Sequence, residues 1–196
     1  MIVHLVRHGT HDQLGKKLTG RTSVSLNDEG RQQSQRLADY FATRRVDLIQ
    51  TSPRERTIET AQPIAQMSEL SCDVVPALDE LDFGAWSGLE FVTLREDPQW
   101  ISWNTQRSRN RPPGGETMSE GSQRVLDHIG ALLPTYVGAR IVLVTHAEII
   151  RSVLLRLLGR SMDAWDTIDI SPASISSIVL HEHQLKVAAV NERPGQ

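Results

Sequence analysis

Arg7 and His8 stand side by side where the first apolar run of the chain ends, within Val6-Arg7-His8-Gly9-Thr10. A guanidinium and an imidazole placed there can meet one phosphoryl group, the first as a planar cation and the second as a nucleophile. Further residues suited to the same chemistry follow in order: Ser52-Pro53-Arg54-Glu55-Arg56, Leu78-Asp79-Glu80-Leu81-Asp82, and Val144-Thr145-His146-Ala147. Arg56, in the first turn of an expected helix, adds a second fork near backbone N–H groups that favour anions. His146 begins another helix and is expected to donate to the phosphate beside Ala147. Glu80 is the expected general acid, protonating a leaving alcohol and then taking a proton from water. Asp79 and Asp82 compete for that role. Because two arginines and an imidazole supply the charge stabilisation, the scheme calls for no metal and no cofactor.

These residues need elements to carry them. Met1 to Val6 reads as a buried strand. Asn27 has the character of a helix N-cap, with Asp28 and Glu29 in the first turn and Leu37 and Phe41 on one face. Val46 to Gln50 is the next strand. Ser52 is then expected to cap a helix with Pro53 at its first position and Glu55 closing a capping box. Val74 to Leu78 is a third strand candidate. Residues 83–115, rich in glycine and proline and carrying Trp86, Trp100 and Trp103, break the alternation and read as a lid or insertion. A helix over about 116–133 follows. Ile141 to Thr145 repeats the opening design, with Thr145 as expected cap and Glu148 at capping-box spacing. Strands near 174–180 and 185–190 close the chain, and the apolar edge they form leaves a homodimer open. Strand–helix alternation predicts a three-layer α/β/α sandwich with a mostly parallel central sheet, in one domain spanning 1–196. Ligands of such sheets gather beyond the carboxyl ends of the strands, where Arg7, His8, Ser52 and His146 fall.

Composition narrows the function classes. The 196 residues are 39% hydrophobic and 23% charged, with a net charge of -3, which gives no bulk attraction toward nucleic acid or an anionic membrane. Cys72 is the only cysteine, so no internal disulfide forms. No signal segment opens the sequence and its apolar runs are too short for a bilayer, so a cytoplasmic protein is expected. A dinucleotide oxidoreductase is disfavoured by the lack of a strand-linked G-x-G-x-x-G. A metal hydrolase would have to use His181-Glu182-His183, which has no third ligand at a recognised spacing.

The ordered motifs resemble the histidine phosphatase superfamily, the clan that includes the cofactor-dependent phosphoglycerate mutases. Leu5-Val6-Arg7-His8-Gly9-Thr10 is similar to its signature, which implies a phosphorylated His8 and a phosphate-holding Arg7. Thr51-Ser52-Pro53-Arg54-Glu55-Arg56-Thr57 resembles its second motif and implies Arg56, not Arg54, as the catalytic arginine. Leu78 to Gly88 resembles the acid segment, matching Glu80 to the proton donor. Val144-Thr145-His146 aligns with the second histidine, and Pro113-Gly114-Gly115-Glu116-Thr117 with the end of the lid. Thr10, Ser87 and Ala147 depart from residues common in the family without removing a catalytic atom.

The resemblance lies nearest the smaller broad-specificity phosphatases, which implies a metal-independent phosphomonoester hydrolase acting on a small phosphorylated metabolite. A phosphoglycerate mutase and a noncatalytic phosphometabolite-binding domain are the alternatives. Thr10, His11, Gly20 and Arg21 are expected around the substrate. Of the arginines in the insertion (Arg95, Arg107, Arg109 and Arg111), Arg109 and Arg111 are expected to reach a second anionic group. The three tryptophans should pack the lid, and His4 is expected to be a plain strand residue.

Overall fold

A computed structural model describes residues 1–181 and 184–195. Among the described residues six strands form one sheet in the order β3-β2-β4-β1-β5-β6: β1 Ile2–Arg7, β2 Leu48–Thr51, β3 Cys72–Val74, β4 Arg140–Thr145, β5 Ile175–His181 and β6 Gln184–Glu192. The β1–β4, β2–β4 and β2–β3 pairs are parallel, whereas β5 runs antiparallel to β1 and β6 antiparallel to β5.

Alternation along the strands sorts the core into two layers. Val3, Leu5, Ile141 and Leu143 face α5 (Met118–Leu132) and α6 (Ala147–Leu157), where Val125, Ile129, Ile150 and Val153 are fully buried. Val6, Ile49, Val142 and Val144 face the other way, onto Leu37 and Phe41 of α1 (Asp28–Ala42) and Ala61 and Ile64 of α2 (Glu55–Met67). The result is the expected three-layer sandwich. Register places Arg7 opposite Thr145 and Thr51 opposite Val144, so three strands stop at one level. His8, Ser52 and His146 are the next residues.

Several boundaries differ from the sequence reading. Asn27 does cap α1, its side chain accepting from Gly30 N at 2.9 Å. Ser52 does not cap α2: its N–H donates to Val144 O, extending the sheet, and the helix starts at Glu55 after Arg54. The Glu55 carboxylate turns instead to Ser23 and Ser25. Thr145 likewise remains in β4, and its hydroxyl donates to Leu78 O at 2.6 Å, leaving His146 as the N-cap of α6. In both places the strand runs one residue further and takes the capping candidate with it. The third strand ends at Val74, because Pro76 has no N–H for a ladder and opens a 3₁₀ turn to Leu78. Residues 83–115 hold a 3₁₀ turn and two short helices, α3 (Phe91–Leu94) and α4 (Pro98–Thr105). The helix after them is capped by Thr117 with a full Glu120 capping box.

The loop leaving β1 is pressed against α1. A Cβ on Gly30 would come within 2.1 Å of Thr10 O, and one on Gly9 within 2.7 Å of Gly30 O. Glycine to alanine in a helix ordinarily stabilises by about 1 kcal/mol. Gly30→Ala should do the reverse, destabilising by about 1–3 kcal/mol in denaturant unfolding, since backbone must shift to make room. A more stable variant would mean that this contact is not tight.

Candidate active site

His8 is 4% exposed and its orientation is set locally. Its N–H donates to Thr145 O, continuing the β1–β4 ladder, while Ala173 N donates to its carbonyl. The ring Nδ1 lies 2.8 Å from Gly9 O. A carbonyl can only accept, so Nδ1 carries the proton and Nε2 keeps its lone pair. Burial, then the nearby Arg56 and Arg7 charges, holds the imidazole well below its ordinary pKa and hence neutral. Gly9 N is tied to Thr60 Oγ1 of α2 at 3.0 Å, which fixes the loop from the other side.

Arg7 and Arg56 differ from most arginines around them. Arg56 is 1% exposed and donates to Thr22 O at 2.9 Å, to Gly20 O at 2.6 Å and to His146 Nδ1 at 3.0 Å. Arg7 donates to Ile170 O at 2.7 Å. Among the described residues neither is ion-paired to a carboxylate, and both Nε atoms, like the buried His11 Nδ1, have no hydrogen-bond partner. Burial pulls both guanidiniums down to about 10, which still leaves them charged at neutral pH. Buried donors normally have acceptors. An anion is the chemical complement of this set.

His146 is fully buried, its ring 5.3 Å from that of His8. Nδ1 accepts from Arg56, so Nε2 carries the proton and donates to Ser52 Oγ at 2.7 Å. Both ring nitrogens are thus used within the protein, and the ring orients Arg56 instead of offering the free donor expected from sequence. His11 is 3% exposed and stacks 5.4 Å from His8. Burial, then Arg56 and Arg7, brings it down to about 4.

A cavity of about 200 Å³ opens over these groups, lined by Arg7, His8, His11, Glu80, Ala147 and Glu148, with Gly20 and Phe83 beside them. Glu80 is the acid that reaches it. Asp79 is held by Arg54, by Ser52 and by Glu80 N at 2.8 Å; Asp82 is held by Arg21 at 3.1 Å and Gly84 N at 2.9 Å. Burial, then repulsion from Glu148, raises the Glu80 carboxyl to about 7, against the pull of Arg56 and Arg7.

The outer residues fall less well into place. Thr10 turns to α1, giving both its N–H and its hydroxyl to Gln33. Arg21 is a clamp that donates to Glu80 O at 2.9 Å and pairs with Asp82 and Glu116. Neither Arg109 nor Arg111 lines the cavity. Arg111 is drawn to Glu120 at 2.6 Å, beside a separate surface depression formed with Pro98 and Asn110. The buried arginine of this segment is Arg107, stacked on Trp103 and Trp165 and bonded to Glu148. Glu148, read from sequence as a helix cap close enough to touch the pocket rim, lines the cavity, and so do Lys17 and Phe91, which were not expected there. Position in the first turn after His146 is the signal that brings Glu148 to the rim; Lys17 and Phe91 have none. The tryptophans do pack together, with Trp86 and Trp100 centroids 5.3 Å apart, and His4 bonds to Ser177 of β5. Burial pushes the Cys72 thiol up to about 11, so it is a poor nucleophile. Glu182 and His183 of the alternative metal motif lie outside the described residues.

Comparison with known proteins bears on this arrangement. The profile of the histidine phosphatase superfamily (branch 1) matches residues 3–193. A bifunctional protein of Mycobacterium tuberculosis is 35% identical over 156 residues, covering 78% of this chain and 43% of that protein. The chain therefore spans under half the length of that relative. A probable phosphoglycerate mutase of Cronobacter sakazakii is 31% identical over 183 residues, covering 90% of this chain and 83% of the relative. A mycobacterial glucosyl-3-phosphoglycerate phosphatase structure superposes with a TM-score of 0.88 at 23% identity, covering 97% of this chain and 98% of that one, which speaks to fold.

The raised Glu80 carboxyl has a thermodynamic signature. Its folded pKa of about 7 exceeds that of an exposed glutamate, so the folded state holds a proton that the unfolded state releases. The Glu80 contribution to stability should fall as pH rises from about 4.5 to 7 and then level off, opposite in sign to that of the depressed His8, His11 and His146, so it is read as a difference between variants. Glu80→Gln should match wild type at pH 4 and exceed it by about 1–3 kcal/mol at pH 8, read from denaturant midpoints. A variant less stable than wild type at pH 8 would mean that the fold favours the ionised Glu80 and that its carboxyl is not raised.

Proposed function

The chain belongs to the histidine phosphatase superfamily, branch 1, and we propose that it is a metal-independent phosphomonoester hydrolase that acts on a small phosphorylated metabolite through a phosphohistidine at His8. One observation carries the reading: the buried Arg56 and half-buried Arg7 guanidiniums, without carboxylate partners, beside a neutral imidazole that keeps its Nε2 lone pair and lines a cavity of about 200 Å³.

The reaction follows from this chemistry. Arg7 and Arg56 take the phosphoryl oxygens and offset the repulsion that a dianion presents to an incoming electron pair. His8 Nε2 attacks phosphorus as the P–O bond to the alcohol breaks, and Glu80 gives its proton to the departing oxygen. The resulting carboxylate then takes a proton from water, which attacks the phosphohistidine, releases inorganic phosphate and returns His8 to neutrality. His146 serves by holding Arg56 in its orientation, backed by Ser52. Residues 83–115 act as a lid within one domain, and the size of the cavity supports a small substrate over a phosphoprotein. A substrate that is a small dianion does not cross a bilayer, which favours a cytoplasmic setting. The edge strand β6 offers a route to a homodimer. Among the described residues no helix is long and apolar enough to span a membrane.

A mutase is the second reading, favoured by the name of the Cronobacter relative. The two differ in whether water or a second hydroxyl takes the phosphoryl group.

The test is phosphate release from a panel of small phosphomonoesters, with chelator present. Turnover should survive chelation and fall by roughly 10³-fold or more in His8→Ala. Undiminished hydrolysis by that variant would end the reading, and return of phosphate to another hydroxyl would favour the mutase. Since Glu80 must be protonated to act, kcat/KM should decline as pH rises through about 7, and Glu80→Gln should remove that decline along with most of the rate.

A further inference from the structure

Glu148 lies in the first turn of α6, and its carboxylate belongs to the same cavity wall as Glu80. Both of its oxygens are taken. Oε2 accepts from Arg107 Nη1 at 2.6 Å, and Oε1 from Arg151 Nη1. Arg107 is itself immobilised: 4% exposed, it lies 3.9 Å from the Trp103 centroid and 3.7 Å from that of Trp165, and it donates to Asn104 Oδ1 at 2.7 Å. Arg151 is fixed through Ile168 O at 3.0 Å. An enclosed ion triad of this kind is a poor source of stability, because apolar residues of similar volume often serve as well. A charge so firmly held, at the cavity that contains the acid, needs a reason beyond stability.

We propose that Glu148 is a positioning residue for proton transfer: a fixed negative charge on the cavity wall that keeps the proton on Glu80 in the free enzyme, so that the acid is loaded before the phosphomonoester arrives. The inference rests on the phosphatase reading, in which Glu80 is the general acid. Glu80 is surrounded by Arg7 and His8 from the end of β1, His11, Lys17 and Arg21 from the loop that follows, Arg56 from α2, and Glu148 from the start of α6. The histidines are neutral. Arg7 and Arg56 draw the proton off Glu80, and Asp79, which could oppose them, is committed to Arg54. Glu148 supplies the opposing charge. Arg107 and Arg151 do not line the cavity, whereas Glu148 does, so the nearest charge that Glu80 meets on that wall is negative. Burial opposes ionisation of Glu148, yet Arg151 and Arg107 outweigh it and hold this carboxyl below the usual glutamate range. Two carboxyls on one cavity wall are thus driven in opposite directions, one kept charged while burial and that charge together keep the other neutral.

The test is the pH dependence of kcat/KM, which reports the free enzyme, compared with that of kcat, which reports the complex. In Glu148→Gln the basic limb of kcat/KM should move about one pH unit lower. The limb in kcat should move less, because the bound phosphoryl dianion then does the same work. Glu148→Asp, which keeps the charge, should retain the wild-type limb. If Glu148→Gln does not fold, the pair Glu148→Gln with Arg151→Gln carries the same comparison. An unmoved limb, or equal loss in the Gln and Asp variants at every pH, would overturn the inference while leaving the phosphatase reading intact. Absence of phosphate release by wild type would overturn both.

Discussion

Two guanidinium charges without carboxylate partners, Arg56 buried and Arg7 half-buried, are the constraint on which the rest of the site depends. Charges taken from water are costly unless they are hydrogen-bonded and paired. Arg7 and Arg56 have only the first compensation, from the carbonyls of Ile170, Thr22 and Gly20 and from a neutral His146. The parallel sheet makes this tolerable by ending three strands at one level, so that carbonyls and helix starts converge on a small volume. Every neighbouring ionisable group answers to that positive field. The imidazoles of His8, His11 and His146 stay unprotonated, through burial first and that field second, and Glu80 feels a pull toward ionisation that its burial has to resist.

Around this unpaired centre the other arginines are paired. Arg54 locks Asp79, Arg21 spans Asp82 and Glu116, Arg124 closes on Glu116, and Arg107 and Arg151 share Glu148. Of these, the Arg107–Glu148–Arg151 set is enclosed and expensive to break by removing one partner, whereas the Arg21, Arg54 and Arg124 pairs are partly exposed and act mainly by fixing geometry. Arg124 also donates to the carbonyls of Ala77 and Asp79, which ties α5 to the segment carrying Glu80. The acid is therefore held by its backbone, through Arg21 and the 3₁₀ turn before it, while its carboxyl is left free of a cation. Rigid frame and unneutralised centre are two aspects of one distribution of charge.

Much of this was legible in the sequence, and the failures share a cause. The sandwich, the strand ends and the set His8, Arg7, Arg56, His146 and Glu80 follow from apolar alternation and from which residue types stand just past each run. Local capping rules misled at Ser52 and Thr145, where the strand continued one residue and turned each hydroxyl toward a distant partner, His146 and Leu78 O. A capping box can be read from spacing; the competing long-range bond cannot. Arg111 shows the same limit, since the capping-box residue Glu120 lies near enough to claim it. Glu148 is the reverse case: its spacing fitted a cap, and Arg107, distant in sequence, gave it another place. The strand expected over Val74–Leu78 failed for a local reason, the proline at position 76.

The central claim is that His8 Nε2 is the atom that receives the phosphoryl group. Rapid acid-free quenching of wild type with a labelled small phosphomonoester, followed by peptide mapping, tests it most directly. An acid-labile, base-stable phosphoryl group on Nε2 of His8, formed before phosphate is released, is the expected result. Label on His11 or His146, or turnover with no phosphorylated histidine at any time, would contradict it.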